Sequence, residues 1–125
     1  MIVGIGIDMV RTERLAGLLE RKPVRASRRL FSEEERAACA GRAHPEECFA
    51  ARFAAKEAFL KALGTGWARG IGWHEVEVSA GAGSRPYLRL SGTAAERLRE
   101  AGGRSVHLSF THEGGLAAAV VVIEG

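Results

Sequence analysis

Glycine alternates with Ile or Val through residues 2–10 (I-V-G-I-G-I-D-M-V), a period of two that predicts a buried strand with Asp8 at its end. Thr12 stands where a cap belongs, ahead of a helix from about Glu13 whose Leu15, Leu18 and Leu19 form an apolar stripe and which stops before Pro23. Ser32 followed by Glu33, Glu34 and Glu35 has the form of an N-cap with its capping-box acid, opening a short helix toward Ala40. Pro45, Glu46 and Glu47 start the longest helical pattern, which runs to Leu63 and stops at Gly64. Beyond a glycine-rich stretch, H-E-V-E-V (74–78) and P-Y-L-R-L (86–90) read as strands, and a helix follows from Ser91 or Thr93 to about Ala101. V-H-L-S-F-T (106–111), a turn at Glu113-Gly114-Gly115 and L-A-A-A-V-V-V-I (116–123) predict a terminal hairpin. Hairpins mixed with helices give an α+β fold, its sheet mainly antiparallel.

The long helix has no broad polar face. Phe49, Phe53, Phe59, Leu60 and Leu63 share one arc, while Ala51, Ala54, Ala55, Ala58 and Ala62 cover the opposite side. Such a helix belongs inside, yet it carries Arg52, Lys56, Glu57 and Lys61, with Arg52 and Lys56 inside the aromatic arc. Charges in that setting need partners. Glu57 and Lys61, one turn apart, form either an ordinary surface ion pair or part of a site in which Glu57 ligates a metal and nearby cations receive phosphate oxygens.

The chain has 125 residues, 46% of them hydrophobic and 26% charged, which suits one domain (1–125) and argues against disorder. The stretch 116–123 is far short of a membrane span and no leader-like segment opens the sequence, so a cytoplasmic protein without membrane contact is expected. Cys39 and Cys48 fit no zinc or C-x-x-C spacing and are expected as reduced thiols. Net charge is +3, but residues 11–29 hold seven basic residues against Glu13 and Glu20, which concentrates +5 there and leaves −2 elsewhere. Asn and Gln are absent, a usage that suits a thermophilic source and equally an arginine-rich codon bias.

Asp8 is the only aspartate, placed where an apolar strand gives way to a helix. It caps that helix, pairs with an arginine or binds a divalent metal. A dinucleotide-binding fingerprint is excluded because Met9 stands where its third glycine belongs. Gly64-Thr65-Gly66 either ends the helix as a turn or offers backbone N–H groups to an anion, and it is no Walker A loop, since no Gly-Lys-Ser/Thr follows. His112, at a strand end, is a structural residue or a phosphate-orienting or proton-carrying one.

Three blocks, G-I-G-I-D-M-V-R-T-E-R-L, A-R-F-A-A-K-E-A-F-L-K-A-L-G-T-G and L-S-F-T-H, resemble in order, spacing and total length the small type of 4'-phosphopantetheinyl transferase. The resemblance covers essentially the whole chain, with the middle block the most specific. It implies that family's fold, a mainly antiparallel sheet packed on a long central helix. It further implies transfer of 4'-phosphopantetheine from coenzyme A to a serine of an apo acyl carrier protein, releasing adenosine 3',5'-bisphosphate, in support of fatty acid biosynthesis. By the same resemblance Asp8 and Glu57 would hold Mg²⁺ and Lys61 would stabilise the pyrophosphate or leaving group. Glu57, Asp8 or a metal-bound water would take the serine proton. Arg52, Lys56, Gly64, Thr65, Gly66 and His112 would line the coenzyme A pocket. Arg14, Arg21, Lys22, Arg25 and Arg28 would dock the acidic carrier, with Arg14 on the motif arginine. Larger members carry a further acid at the position of Val10, so two carboxylates and a homotrimer with sites between subunits are expected here.

Two rival readings remain. A nucleic-acid-binding module would use the basic stretch, but it leaves Asp8 and Glu57 unexplained and has only Phe31 as a nearby aromatic, so no nucleic acid partner is expected. A non-catalytic scaffold that binds a carrier protein would keep the fold, yet every motif acid and the motif lysine are present.

Overall fold

Ten residues, Ile2–Arg11, form the first strand, β1, which alternates with the expected period of two and buries one of its faces. Gly6 and Val10 are buried and Gly4 and Asp8 half-buried, whereas Ile5, Ile7 and Met9 are 60%, 62% and 59% exposed on the other face. The reason is the helix behind the glycines. A Cβ at Gly4 would run into the Ala62 carbonyl oxygen, and one at Gly6 into the Ala58 carbonyl oxygen, so only glycine admits the helix backbone this closely. The structure, a computed structural model, describes residues 1–66, 70–79 and 85–125.

After β1 come α1 (Thr12–Arg21), α2 (Pro23–Leu30), α3 (Glu33–Ala40) and α4 (Pro45–Leu63). They are followed by β2 (Val76–Ser79), β3 (Tyr87–Leu90), α5 (Gly92–Glu100), β4 (Ser105–Glu113) and β5 (Leu116–Glu124). β5 lies between β1 and β4 and pairs antiparallel with both, while β2 and β3 form a separate antiparallel pair. α4 packs across the larger sheet, its aromatic and alanine arcs both buried, and one core cluster joins it to Ala117, Ala119, Val121 and Ile123 of β5.

Local signals explain most boundaries. Ser32 and Glu35 form the expected capping box, and Gly64 ends α4 in the left-handed conformation at φ 77°. Thr12 is the first residue of α1 and not its cap, because its backbone N–H and hydroxyl both donate to the Gly115 carbonyl. The strand expected from 74 starts at Val76, since Trp73–Glu75 forms one 3-10 turn. There Glu75 accepts the Gly72 N–H at 2.8 Å and the Thr93 N–H at 2.8 Å. α2 has no counterpart in the sequence reading, as its apolar side amounts to Ala26 and Leu30 among exposed arginines. The expected turn at 80–85 falls mostly on residues 80–84, outside the described residues, as do residues 67–69 of the glycine-rich stretch.

Cys39 and Cys48 are joined in a disulfide, which corrects the expectation of reduced thiols. No short-spacing motif marks the pair, because it is the packing of the last turn of α3 on the first turn of α4 that brings the two buried sulfurs together. Among the described residues no helix is long and apolar enough to cross a membrane.

Candidate active site

β1 and α4 run in opposite directions, with Gly4 beneath Ala62 and Gly6 beneath Ala58, so two residues along the strand match one turn back along the helix. The next step brings Asp8, on the same strand face, toward the turn that carries Glu57. Lys61 Nζ donates to Asp8 Oδ1 at 2.9 Å and to the Ile7 carbonyl at 3.1 Å. This corrects the capping alternative for Asp8: the N-cap of α1 is Arg11 and no side chain caps it. A shallow cleft lined by Ile7, Asp8, Met9 and Lys61 opens at this point.

The donor chemistry suits a hard divalent cation. Asp8 and Glu57 offer carboxylate oxygens, and the Asp8 carboxylate already receives a cation in the form of the Lys61 ammonium. Among the described residues no three His, Cys, Asp or Glu side chains gather to hold a metal, so an ion here would take its remaining ligands from water and substrate.

Lys56 and Arg52 do not fit the phosphate-binding role expected of them. Lys56 Nζ is wholly buried, 2.8 Å from Glu35 Oε1 and 2.9 Å from the Trp73 carbonyl, with the Phe31 ring 5.7 Å away. Desolvation lowers the Lys56 pKa, opposed by the charge and hydrogen bond of Glu35. Glu35 also accepts the Ser32 and Val78 backbone N–H groups, each at 2.8 Å, so one buried carboxylate ties the start of α3 to β2 and α4. Sequence patterning showed this glutamate as a capping-box acid but gave no signal for its second oxygen. Arg52, 3% exposed, folds back along its own helix to Cys48 Sγ at 3.1 Å, and burial is the main cause lowering its pKa. Both cations act as internal fastenings.

His112 and the Gly64-Thr65-Gly66 loop are not brought together within one chain. His112 Nδ1 lies 3.4 Å from Glu47 Oε2 in the first turn of α4, while the loop follows the last turn. A helix of 19 residues separates them, roughly 28 Å at 1.5 Å per residue. In the loop, Gly66 has φ 61° and Thr65 Oγ1 donates to the Gly66 carbonyl at 3.1 Å.

The basic stretch begins at the end of β1, three residues after Asp8. The Arg14 guanidinium lies 5.5 Å from the Phe53 ring centroid, and Phe53 is one turn before Glu57 on α4. Arg21, Lys22, Arg25 and Arg28 are exposed on α1 and α2. Beside them a cleft of about 350 Å³ is lined by Leu18, Lys22, Arg25, Arg29, Leu30 and Trp73. Arg29, Leu18 and Trp73 were not among the docking residues expected from the sequence. The available signal was apolar Leu18 and Leu30 interleaved with cations.

The sequence profile of the 4'-phosphopantetheinyl transferase superfamily matches residues 4–121. The chain is 46% identical over 124 residues to the holo-(acyl-carrier-protein) synthase of Trichlorobacter lovleyi, covering 99% of this chain and 98% of that one. Its structure is similar to the crystal structure of the holo-(acyl-carrier-protein) synthase of Neisseria meningitidis, with a TM-score of 0.88, 33% identity and 100% of both chains covered. It is also similar to the Helicobacter pylori synthase solved in complex with coenzyme A, with a TM-score of 0.84, 29% identity and 96% and 99% of the two chains covered. A match of this extent, over the strand, helix and hairpin that surround Asp8 and Lys61, shows that the chain belongs to the 4'-phosphopantetheinyl transferase superfamily, among its holo-(acyl-carrier-protein) synthases.

Proposed function

We propose that the chain transfers the 4'-phosphopantetheine group of coenzyme A to a serine hydroxyl of an apo acyl carrier protein, with Asp8, Glu57 and Lys61 at the reacting centre. The observation that carries this assignment of residues is the Lys61–Asp8 pair, 2.9 Å apart at an open cleft, with Glu57 one turn before Lys61 on α4. Asp8 and Glu57 would hold Mg²⁺, which when bound would supply charge neutralisation at the pyrophosphate and polarisation of the attacked phosphorus. Lys61, more than half exposed on its flexible stem, reaches the pyrophosphate and stabilises the charge left on the departing nucleotide. A carboxylate oxygen of Asp8 or Glu57 accepts the serine proton as the new P–O bond forms. Arg14 and the cations of α1 and α2 steer the acidic carrier, and the neighbouring 350 Å³ cleft receives an apolar part of its surface.

The active unit in this reading is a homotrimer. Ile5, Ile7 and Met9 pair across the sheet with Val122, Val120 and Ala118, which leaves a continuous apolar outer face for other copies of this chain. Contact between copies also brings His112 of one chain to the Gly64–Gly66 loop of another, which a single chain holds at opposite ends of α4. The nucleotide pocket then lies between subunits, in the cytoplasmic setting expected from the sequence. The direct test of the residue roles is transfer by Asp8→Asn and Glu57→Gln. Both variants keep the fold and lose metal-dependent transfer, whereas near-normal turnover in both overturns the metal assignment.

A further inference from the structure

Two lysines five residues apart on α4 each hold a carboxylate, and the two pairs differ in one respect. The Lys56–Glu35 pair is 0% exposed on both sides, and its ammonium is also bound to the Trp73 carbonyl, so it cannot move without leaving a buried charge. In the Lys61–Asp8 pair the lysine is 54% exposed and the aspartate 15%. A pair whose lysine stands in solvent is weaker than a buried one and can exchange partners. The Lys61 ammonium sits on the carboxylate that a divalent cation would use, and two cations at one carboxylate oxygen repel each other.

We propose that Lys61 is an exchangeable internal cation: it holds Asp8 until a divalent ion displaces it, and the released ammonium then becomes the arm that binds the anionic substrate. The inference rests on the assignment of Asp8 and Glu57 to a metal and adds an order to the assembly of the site. The bare carboxylate is never left unpaired in its half-buried position, because Lys61 neutralises it before the ion arrives. Cation and anion binding become reciprocal, since each makes the other's seat available. Ile7 takes part through its carbonyl, which with Asp8 fixes the ammonium at 2.9 to 3.1 Å and defines the resting position that the ion must empty.

The test is Mn²⁺ binding to the full chain without coenzyme A, followed by the electron paramagnetic resonance of the free ion, for the wild type, Lys61→Met and the double variant Asp8→Asn/Lys61→Met. Lys61→Met binds Mn²⁺ at least about fivefold more tightly than the wild type, within the range of ordinary coupling between two ligands. The double variant loses that gain. Binding that is equal or weaker in Lys61→Met, with the wild type still binding, overturns the exchange and leaves the metal assignment standing. No binding to any form overturns the metal assignment and the exchange with it. A second measurement needs no variant: the ¹³Cε resonance of Lys61 in the wild-type protein shifts on addition of Mg²⁺ alone. An unmoved resonance at saturating Mg²⁺ also overturns the proposal.

Discussion

Two absent methyl groups set the distance between β1 and α4. Alanine at Gly6 would drive a Cβ into the Ala58 carbonyl oxygen and against the Ala62 backbone nitrogen, neither of which is a flexible side-chain end. Gly6→Ala is expected to destabilise the protein by about 1–3 kcal/mol, the usual cost of overpacking, read from the midpoint of urea unfolding. It also pushes Lys61 away from Asp8 and so lowers transfer more than its effect on folding alone. At Lys56 the expectation is larger. Lys56→Met leaves Glu35 buried without its cation and is expected to cost about 3–5 kcal/mol, while the pair Glu35→Leu/Lys56→Met recovers much of that loss in the same unfolding measurement. The sequence showed that α4 carries charges without a solvated face, but not where each points. Five residues turn a helix by about 140°, which is enough to send Lys56 into the core and Lys61 to the Asp8 cleft.

Among the elements, those with a strong local signal were legible. The capping box of α3, the glycine stop of α4 and the two-glycine turn between β4 and β5 are each written in a few adjacent residues, and each forms as expected. Features that depend on contact between distant segments were not. The period of β1 was legible but not which of its faces is buried, because the inner side is decided by a helix backbone some 50 residues later in the chain. The Cys39–Cys48 bond likewise follows from α3 meeting α4, and it makes a small covalent ring at the end of α4 away from Lys61. Reduction, or the variant Cys48→Ser, is expected to lower stability by about 2–3 kcal/mol through the loop-closure term. Transfer activity measured well below the unfolding temperature should be unchanged.

At the level of the whole molecule, the groups proposed for the reaction lie apart along one chain. The acids and Lys61 lie at the sheet–helix junction, the glycine loop at one end of α4 and His112 at the other, with the outer sheet face apolar. Ile5→Lys, on that face and facing away from Asp8, is expected to convert trimers to monomers in sedimentation equilibrium and to remove most of the transfer activity, with the helical and strand content intact. Full activity in a monomeric Ile5→Lys protein would place the whole pocket within one chain. The charge reading belongs to this scale as well. Arg14→Glu is expected to raise the KM for the carrier protein, most at low salt, and to leave coenzyme A binding close to normal.

The claim beneath all of these is that the chain is a metal-dependent phosphopantetheinyl transferase acting on a carrier protein. Its most direct test is the intact mass of an apo acyl carrier protein after incubation with the purified chain, coenzyme A and Mg²⁺, with and without a chelator. The account predicts a gain of one phosphopantetheine on the carrier that the chelator abolishes. A folded protein that leaves several apo carriers unmodified, or modifies them equally well in the chelator, contradicts it.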